Sequence, residues 1–265
     1  MTLFEVVILA IIQGITEFLP ISSSAHLLLP SILLGWKEQG LAFDVAVHIG
    51  SLTAVVIYFR HDLWGMTQAW TRQLVGGKAT AESQLAWWLI IATLPAVVLG
   101  FLGKSLVEEF ARSGLVIAFT TIVFGALLWL ADSRAKQAEG LKSLGWKKAL
   151  TIGFFQVLAM IPGTSRSGIT ITAGLLLGLD RYSAARFSFL LSIPTILGAG
   201  VLLGLDLLST SQAVDWSMIV SGTLLSFVSA YACIYLFLSW IERIGMLPFV
   251  IYRLLLGVFL LVLLL

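Results

Sequence analysis

The sequence predicts an all-α polytopic membrane protein, with six transmembrane helices plus two re-entrant helical hairpins arranged as an inverted-topology repeat. Three observations carry this. First, 59% of the 265 residues are hydrophobic and only 11% are charged, with a mean hydropathy of +1.01, whereas soluble domains run at roughly 45–50% apolar and about 25% charged. Second, six apolar runs are long enough to cross a bilayer. Third, four shorter apolar runs come as two pairs, each broken at its centre by proline and hydroxyl residues. A soluble chain of this size could not hide so much apolar surface. Disorder, nucleic-acid binding and a secreted disulfide scaffold are thereby excluded. The net charge is only +2, and a single cysteine, Cys233, allows no internal disulfide or thiolate metal cage. Met1-Thr2-Leu3-Phe4-Glu5 carries no positive charge and no small-residue cleavage site follows, so no cleaved signal peptide is expected.

The spanning runs are 42–60, 85–103, 115–131, 185–205, 217–240 and 247–265. At a rise of about 1.5 Å per residue, about 20 residues cover the hydrocarbon core, which the third run barely manages. The short runs are 4–19 with 25–34, and 148–161 with 167–179. Pro20-Ile21-Ser22-Ser23-Ser24 interrupts the first pair, and Pro162-Gly163-Thr164-Ser165-Arg166-Ser167 the second. Proline stops a helix, and irregular backbone at membrane depth is tolerated only inside protein or along a cavity. Two re-entrant hairpins, 4–34 and 148–179, follow; the alternative is that each pair forms one long kinked span. The order is hairpin, three spans, hairpin, three spans, so one membrane domain of residues 1–265 divides into repeats at 1–131 and 148–265. Gln13 precedes Pro20 by seven residues and Gln156 precedes Pro162 by six, while Phe43 and Phe187 follow those prolines by 23 and 25. An odd number of crossings per half inverts the second half relative to the first, as in secondary transporters.

Placing both termini outside puts eleven Lys and Arg residues in inner loops (Arg60, Arg72, Lys78, Arg134, Lys136, Lys142, Lys147, Lys148, Arg181, Arg186 and Arg243). It leaves three outside (Lys37, Lys104 and Arg112). That is a strong positive-inside bias, and making the hairpins cross would scramble it. Trp36, Trp64, Trp87, Trp88, Trp129, Trp146, Trp216 and Trp240 flank span ends as an interfacial belt.

Ionisable groups at bilayer depth cost about 2.5–3.5 kcal/mol each, so every one needs a reason. Gln13 and Glu17, four apart, share one face of the first short helix with Thr16 beside them. Glu17 is either a helix-end carboxylate bonded to the hydroxyls beyond Pro20, or a metal ligand or base aimed into a polar cavity. His26 follows Ser22 by four and Ser23 by three, in the first turn of the second short helix. It reads as a functional imidazole beside the serines, the bland alternative being a satisfied core histidine. Arg166 is a permanent charge at an intramembrane helix start, where the helix dipole repels it. Something negative should sit there: Glu17, as a structural pair, or an anionic ligand. Thr164, Ser165, Ser167 and Thr170, with Gly163 and Gly168, favour the ligand, because hydroxyls and close backbone N–H groups suit oxyanions. With Ser22 and Ser24 from the first hairpin, two facing helix N-termini make a socket for phosphate or diphosphate. The halves differ: Met160 or Ala159 stands where Glu17 does, and Ser24 is opposite Arg166. One half supplies acid–base or metal groups and the other an anion clamp, a division that suits phosphoryl transfer. Asp44 and His48 either extend the site or pair with each other, and Arg253 snorkels or neutralises a carbonyl cluster. The rival classes are a polyprenyl-phosphate flippase or small-anion transporter, and a scaffold with buried ion pairs.

Gln13-Gly-Ile-Thr-Glu17-Phe-Leu-Pro20-Ile-Ser22-Ser23-Ser24-Ala-His26 resembles the (E/Q)xxxE plus P-x-S-S-x-x-H element of the bacterial undecaprenyl-diphosphate phosphatases, the bacitracin-resistance family. Pro162-Gly-Thr-Ser165-Arg166-Ser167-Gly-Ile-Thr170 resembles that family's P-G-x-S-R-S-x-x-T signature, and the likeness continues through Arg181–Phe189 and Pro248-Phe249-x-x-Tyr252-Arg253. The resemblance implies an inner-membrane enzyme that hydrolyses undecaprenyl diphosphate to the monophosphate and inorganic phosphate, recycling the carrier for peptidoglycan synthesis. It implies catalytic roles for Glu17, Ser23, His26 and Arg166, with Ser165 also functional. It implies as well a divalent cation, Mg²⁺ with Ca²⁺ also admissible, at Glu17 assisted by Gln13, and a site facing the periplasm. Gln13 stands where many members carry Glu; an amide oxygen can bind a hard cation but cannot act as a base. The expected partners are the polyprenyl diphosphate and bilayer lipid, with no nucleic acid; a homodimer stays open, as does the choice between Ser23 and a metal-bound water as nucleophile.

Overall fold

The computed structural model describes residues 1–36, 40–110, 113–137, 139–209 and 215–265, which leaves Lys37 and Arg112 of the charge count outside the described residues, together with the side chain of Lys104. Among them the structure is helical: α1 (Leu3–Phe18), α2 (Ser23–Leu34), α3 (Leu41–Tyr58), α4 (Arg60–Leu74), α5 (Ala81–Phe110), α6 (Gly114–Arg134), α7 (Trp146–Val157), α8 (Arg166–Leu176), α9 (Arg181–Ser209), α10 (Trp216–Ile244) and α11 (Leu247–Leu264).

Among the described residues six helices are long and apolar enough to cross a membrane: α3, α5 over Ala81–Gly103, α6, α9 over Arg181–Leu205, α10 and α11. Only 22–39% of each most apolar window is buried, so most of these apolar side chains face outward. Lipid is the solvent that tolerates such surfaces, and the chain is a multi-pass membrane protein.

The short apolar runs form the helix pairs α1/α2 and α7/α8, whose members touch each other. Residues 19–22 separate the first pair, and a 3-10 turn at Leu158–Met160 followed by an irregular stretch to Ser165 separates the second. Neither pair is a single kinked helix. Packing exchanges between the halves: α1 lies along α10 and α7 along α5, while α3 meets α9 and α6 meets α11. The exchanged contacts are close where a glycine removes the side chain. A Cβ on Gly14 of α1 would meet the Ser226 carbonyl at 2.6 Å, and one on Gly153 of α7 the Ala92 carbonyl at 2.4 Å. Small residues let helix backbones approach this way where no hydrophobic effect drives association. Hydroxyl-to-carbonyl bonds add to it, as from Ser226 to Val47 and Thr223 to Ala46.

α4 has no counterpart in the sequence reading, which leaves 61–84 as an inner loop. It is a polar helix with Met66 buried and Trp64 exposed, and Asp62 ties it to Arg186 of α9 at 2.5 Å. Arg181 forms a bidentate pair with Asp132 of α6 at 2.6 and 3.0 Å. These cations lie at the start of α9, among the residues that the charge count assigns to the inside. A ladder of rings, Phe18–Phe189, Phe189–Phe237 and Phe237–Phe249, with centroids 5.3–5.6 Å apart, joins α1, α9, α10 and α11.

Candidate active site

The two helix breaks meet. A cavity of about 180 Å³ is lined by Thr16, Glu17, Ser22, Ser23 and Ser24 of the first pair and by Ala159, Ser165 and Arg166 of the second. A cavity of about 150 Å³ holds benzene, so this one has room for a phosphate-sized head.

The backbone is what turns these residues inward. Ser22 and Ser165 are the N-caps of α2 and α8, and both hold positive φ, 73° and 69°. Non-glycine residues at such angles store about 1–3 kcal/mol of strain and concentrate at functional sites. The side chains repeat the match: Ser22 Oγ lies 3.1 Å from Ser24 Oγ, and Ser165 Oγ lies 3.2 Å from Ser167 Oγ. In this register Gln13 pairs with Gln156, Glu17 with Met160, and Ser23, not Ser24, with Arg166. The first residue of α2 is therefore a hydroxyl and the first of α8 a guanidinium, side by side on the cavity wall.

Glu17 organises the centre. Its Oε1 accepts from Arg166 Nη2 at 3.0 Å, and its Oε2 accepts from Gln13 Nε2 at 2.9 Å and from Ser23 Oγ at 3.2 Å. The Glu17–Arg166 pair is buried, with side chains 8% and 12% exposed. The negative partner that Arg166 demanded is thus Glu17, and the carboxylate also accepts the Ser23 proton. Arg166 donates further to the Ser188 carbonyl at 3.2 Å and lies 5.9 Å from the centre of the Phe18 ring.

His26 is held away from Ser23. Its Nδ1–H donates to the Ser22 carbonyl at 2.7 Å, and its Nε2 pairs with the Tyr252 hydroxyl at 2.7 Å while the two rings stack. Both ring nitrogens are occupied, so the imidazole grips the strained residue just before Ser23. Thr170 donates to the Arg166 carbonyl and meets Ser188 Oγ at 2.7 Å, behind the cavity wall. Ser167 Oγ donates to the Leu19 carbonyl at 2.8 Å, and Ser24 Oγ accepts from Gly163 N at 3.3 Å, which stitches one break to the other. Thr164 is buried, and its hydroxyl has no partner among the described residues.

Arg253 is fully buried and does not snorkel. Its Nη1 donates to the Pro20 carbonyl at 3.3 Å, Nη2 to the Gly163 carbonyl at 2.9 Å and Nε to the Thr121 carbonyl at 3.2 Å. Pro20 and Gly163 occupy equivalent places in the two breaks, so one guanidinium closes both. Gly163 has φ +89°, and a Cβ there would sit 2.5 Å from the Ile117 carbonyl.

The sequence missed Tyr252 as the His26 partner and Ser188 as a support for Arg166. Their positions, 226 and 22 residues away, carry no local signal.

For a divalent cation, no group of three His, Cys, Asp or Glu assembles among the described residues. Mg²⁺ is commonly held by one or two carboxylates with substrate phosphates and water. The donor set fits that mode. Glu17 has about four lone-pair positions and uses three, and the buried Gln13 Oε1 has no partner among the described residues.

Residues 6–259 match the family described as bacitracin resistance protein BacA. A protein of Alteromonas mediterranea named undecaprenyl-diphosphatase is 66% identical over 261 residues, covering 98% of each chain. With a family match across nearly all of its length and a relative this similar, the chain belongs to the bacitracin resistance protein BacA family.

Proposed function

We propose that the protein hydrolyses undecaprenyl diphosphate to undecaprenyl phosphate and inorganic phosphate, the activity named for its relative. This regenerates the carrier for peptidoglycan synthesis and confers bacitracin resistance. One observation carries the chemistry: Ser23 Oγ is 3.2 Å from a carboxylate whose other oxygen is held by Arg166, on the wall of a polar cavity.

The diphosphate head enters the cavity from the bilayer and competes with Glu17 for Arg166. Ser23 Oγ forms a bond to the terminal phosphorus while the bond from that phosphorus to the bridging oxygen breaks. The polyprenyl monophosphate leaves, and the Ser23 proton passes to Glu17, within the reach required of a general base. A water then attacks the phosphoserine; Glu17, having released its first proton to solvent, takes one from the water and returns it to Ser23 Oγ as inorganic phosphate departs. Arg166 binds the equatorial oxygens as their charge grows. His26 holds the Ser22 carbonyl and so keeps Ser23 aimed at the cavity. Glu17 and Gln13 Oε1 are the residues that would hold a divalent cation, which when bound would supply positive charge against the phosphate oxygens.

The two helix pairs are re-entrant hairpins of an inverted repeat in the bacterial inner membrane, with both termini and the cavity on the periplasmic side. The exchanged packing of the halves and the eleven-to-three distribution of Lys and Arg support this.

The test is phosphate release from a polyprenyl diphosphate by the purified protein in detergent, with Mg²⁺ or EDTA, for wild type, Glu17→Gln and Ser23→Ala. Metal-dependent release lost in both variants supports the proposal. Survival in Ser23→Ala moves the attack to water, and no release from folded wild type overturns the phosphatase reading in favour of transport.

A further inference from the structure

We propose that His48 of α3 is a positioning residue: it fixes the orientation of the Gln13 amide and, through it, the Glu17 carboxylate. The inference deepens the phosphatase reading and rests on it for its effect on turnover. His48 Nδ1 lies 2.7 Å from the Asp44 carbonyl oxygen. A carbonyl only accepts, so Nδ1 carries a proton, and in the neutral ring Nε2 then presents a lone pair to its neighbour. Gln13 Nε2 sits 3.3 Å from that lone pair and 2.9 Å from Glu17 Oε2. The two amide protons are therefore spent one on each neighbour. Reversing the amide would set its oxygen against a carboxylate oxygen and an imidazole lone pair, exchanging two hydrogen bonds for two repulsions. His48 thus permits one orientation, with N–H toward Glu17 and Oε1 left without a hydrogen-bond partner among the described residues. Gln13 is fully buried, so water does not substitute for a lost partner.

The geometry makes Glu17 Oε2 the meeting point of two donors, Gln13 and Ser23. An amide free to rotate lets the carboxylate turn off Ser23, and the attack loses its aligned base. His48→Phe keeps a planar ring and removes the acceptor; His48→Gln restores an oxygen that accepts from the amide. Partners of this kind typically cost 10–100-fold when removed. The expected result is a fall of kcat by about that factor in His48→Phe, with KM changed less than about twofold, and recovery of most of kcat in His48→Gln. The double variant Gln13→Ala/His48→Phe should be no slower than Gln13→Ala alone, because the two residues act in series. Unaltered kcat in His48→Phe, or losses that multiply in the double variant, overturns the proposal.

A second readout does not depend on turnover. In ¹⁵N-histidine-labelled protein, assigned by the loss of one of three signals in His48→Gln, His48 should show protonated Nδ1 and unprotonated Nε2. Its Nε2 resonance should move when Gln13 becomes Ala. A protonated Nε2, or a resonance indifferent to Gln13, also overturns the proposal. Absence of phosphate release from wild type would instead overturn the phosphatase reading, with the ¹⁵N result still deciding the His48–Gln13 contact.

Discussion

Ser22 and Ser165, 143 positions apart in the chain, hold the same left-handed backbone, with φ 73° and 69°, at the start of the two helices that wall the cavity. They differ in what their hydroxyls do. Ser165 Oγ accepts from Gly168 N at 3.1 Å and caps α8, whereas Ser22 makes no side-chain cap on α2. Loss of an N-cap hydroxyl costs about 0.5–2 kcal/mol. Ser165→Ala should therefore lower the unfolding midpoint in detergent more than Ser22→Ala does. Equal midpoints would show that the cap bond contributes nothing.

Arg253 should be the most costly single side chain to remove from the site's frame. Its three carbonyl partners, on Pro20, Gly163 and Thr121, are buried, and each unpaired group costs about 1–3 kcal/mol. Arg253→Met is expected to destabilise by about 3 kcal/mol or more and to abolish activity by separating the two breaks. Arg253→Lys should recover only part of the stability, since an ammonium cannot span three diverging acceptors. Thermal unfolding of the three proteins side by side measures this. A wild-type midpoint in Arg253→Met would refute the closing role.

The Glu17–Arg166 pair lets structure and chemistry be separated. Replacing both members of a buried ion pair by apolar residues is often neutral or stabilising, whereas removing one leaves an uncompensated charge. Glu17→Leu/Arg166→Met should therefore melt at or above wild type yet release no phosphate. Arg166→Lys retains charge but loses the fork that serves Glu17 and Ser188 together, and kcat/KM should fall on the order of 10²-fold. Activity in the apolar double variant would make the pair a scaffold only.

Much of this was legible in the sequence, in proportion to how local the signal was. Hydropathy marks all six spans, because length and apolarity are properties of each run. The breaks are legible because proline and clustered hydroxyls leave a helix no way to continue. Aligning the breaks on Pro20 and Pro162 misses the register by one residue. The backbone matches Ser22 to Ser165, which moves Gly163 to the place of Pro20. α4 escaped because a membrane reading looks for apolar runs. Its stripe of Leu63, Met66 and Trp70 marks an amphipathic helix of ordinary composition. For Arg253 the sequence shows that partners are needed, but which carbonyls supply them depends on three segments brought together by the fold.

His26 gives the sharpest distinction between a base and a support. An imidazole serving as the proton acceptor of Ser23 would be as necessary as Ser23 itself. In the structure the acceptor is Glu17, and His26 spends its Nδ1 proton on the Ser22 carbonyl and its Nε2 on Tyr252. Ser23→Ala and Glu17→Gln should therefore be inactive, while His26→Ala retains a measurable remainder, about 10–100-fold below wild type, as for other orienting partners. His26→Asn should recover part of the loss, because its side-chain amide can donate to the carbonyl four residues back on the same helix. Tyr252→Phe removes one partner from a ring still held at Nδ1, so its effect should be the smallest of the series. Single-turnover phosphate release orders these variants. If His26→Ala is as inactive as Ser23→Ala, the imidazole takes a proton directly and Glu17 is left with binding alone.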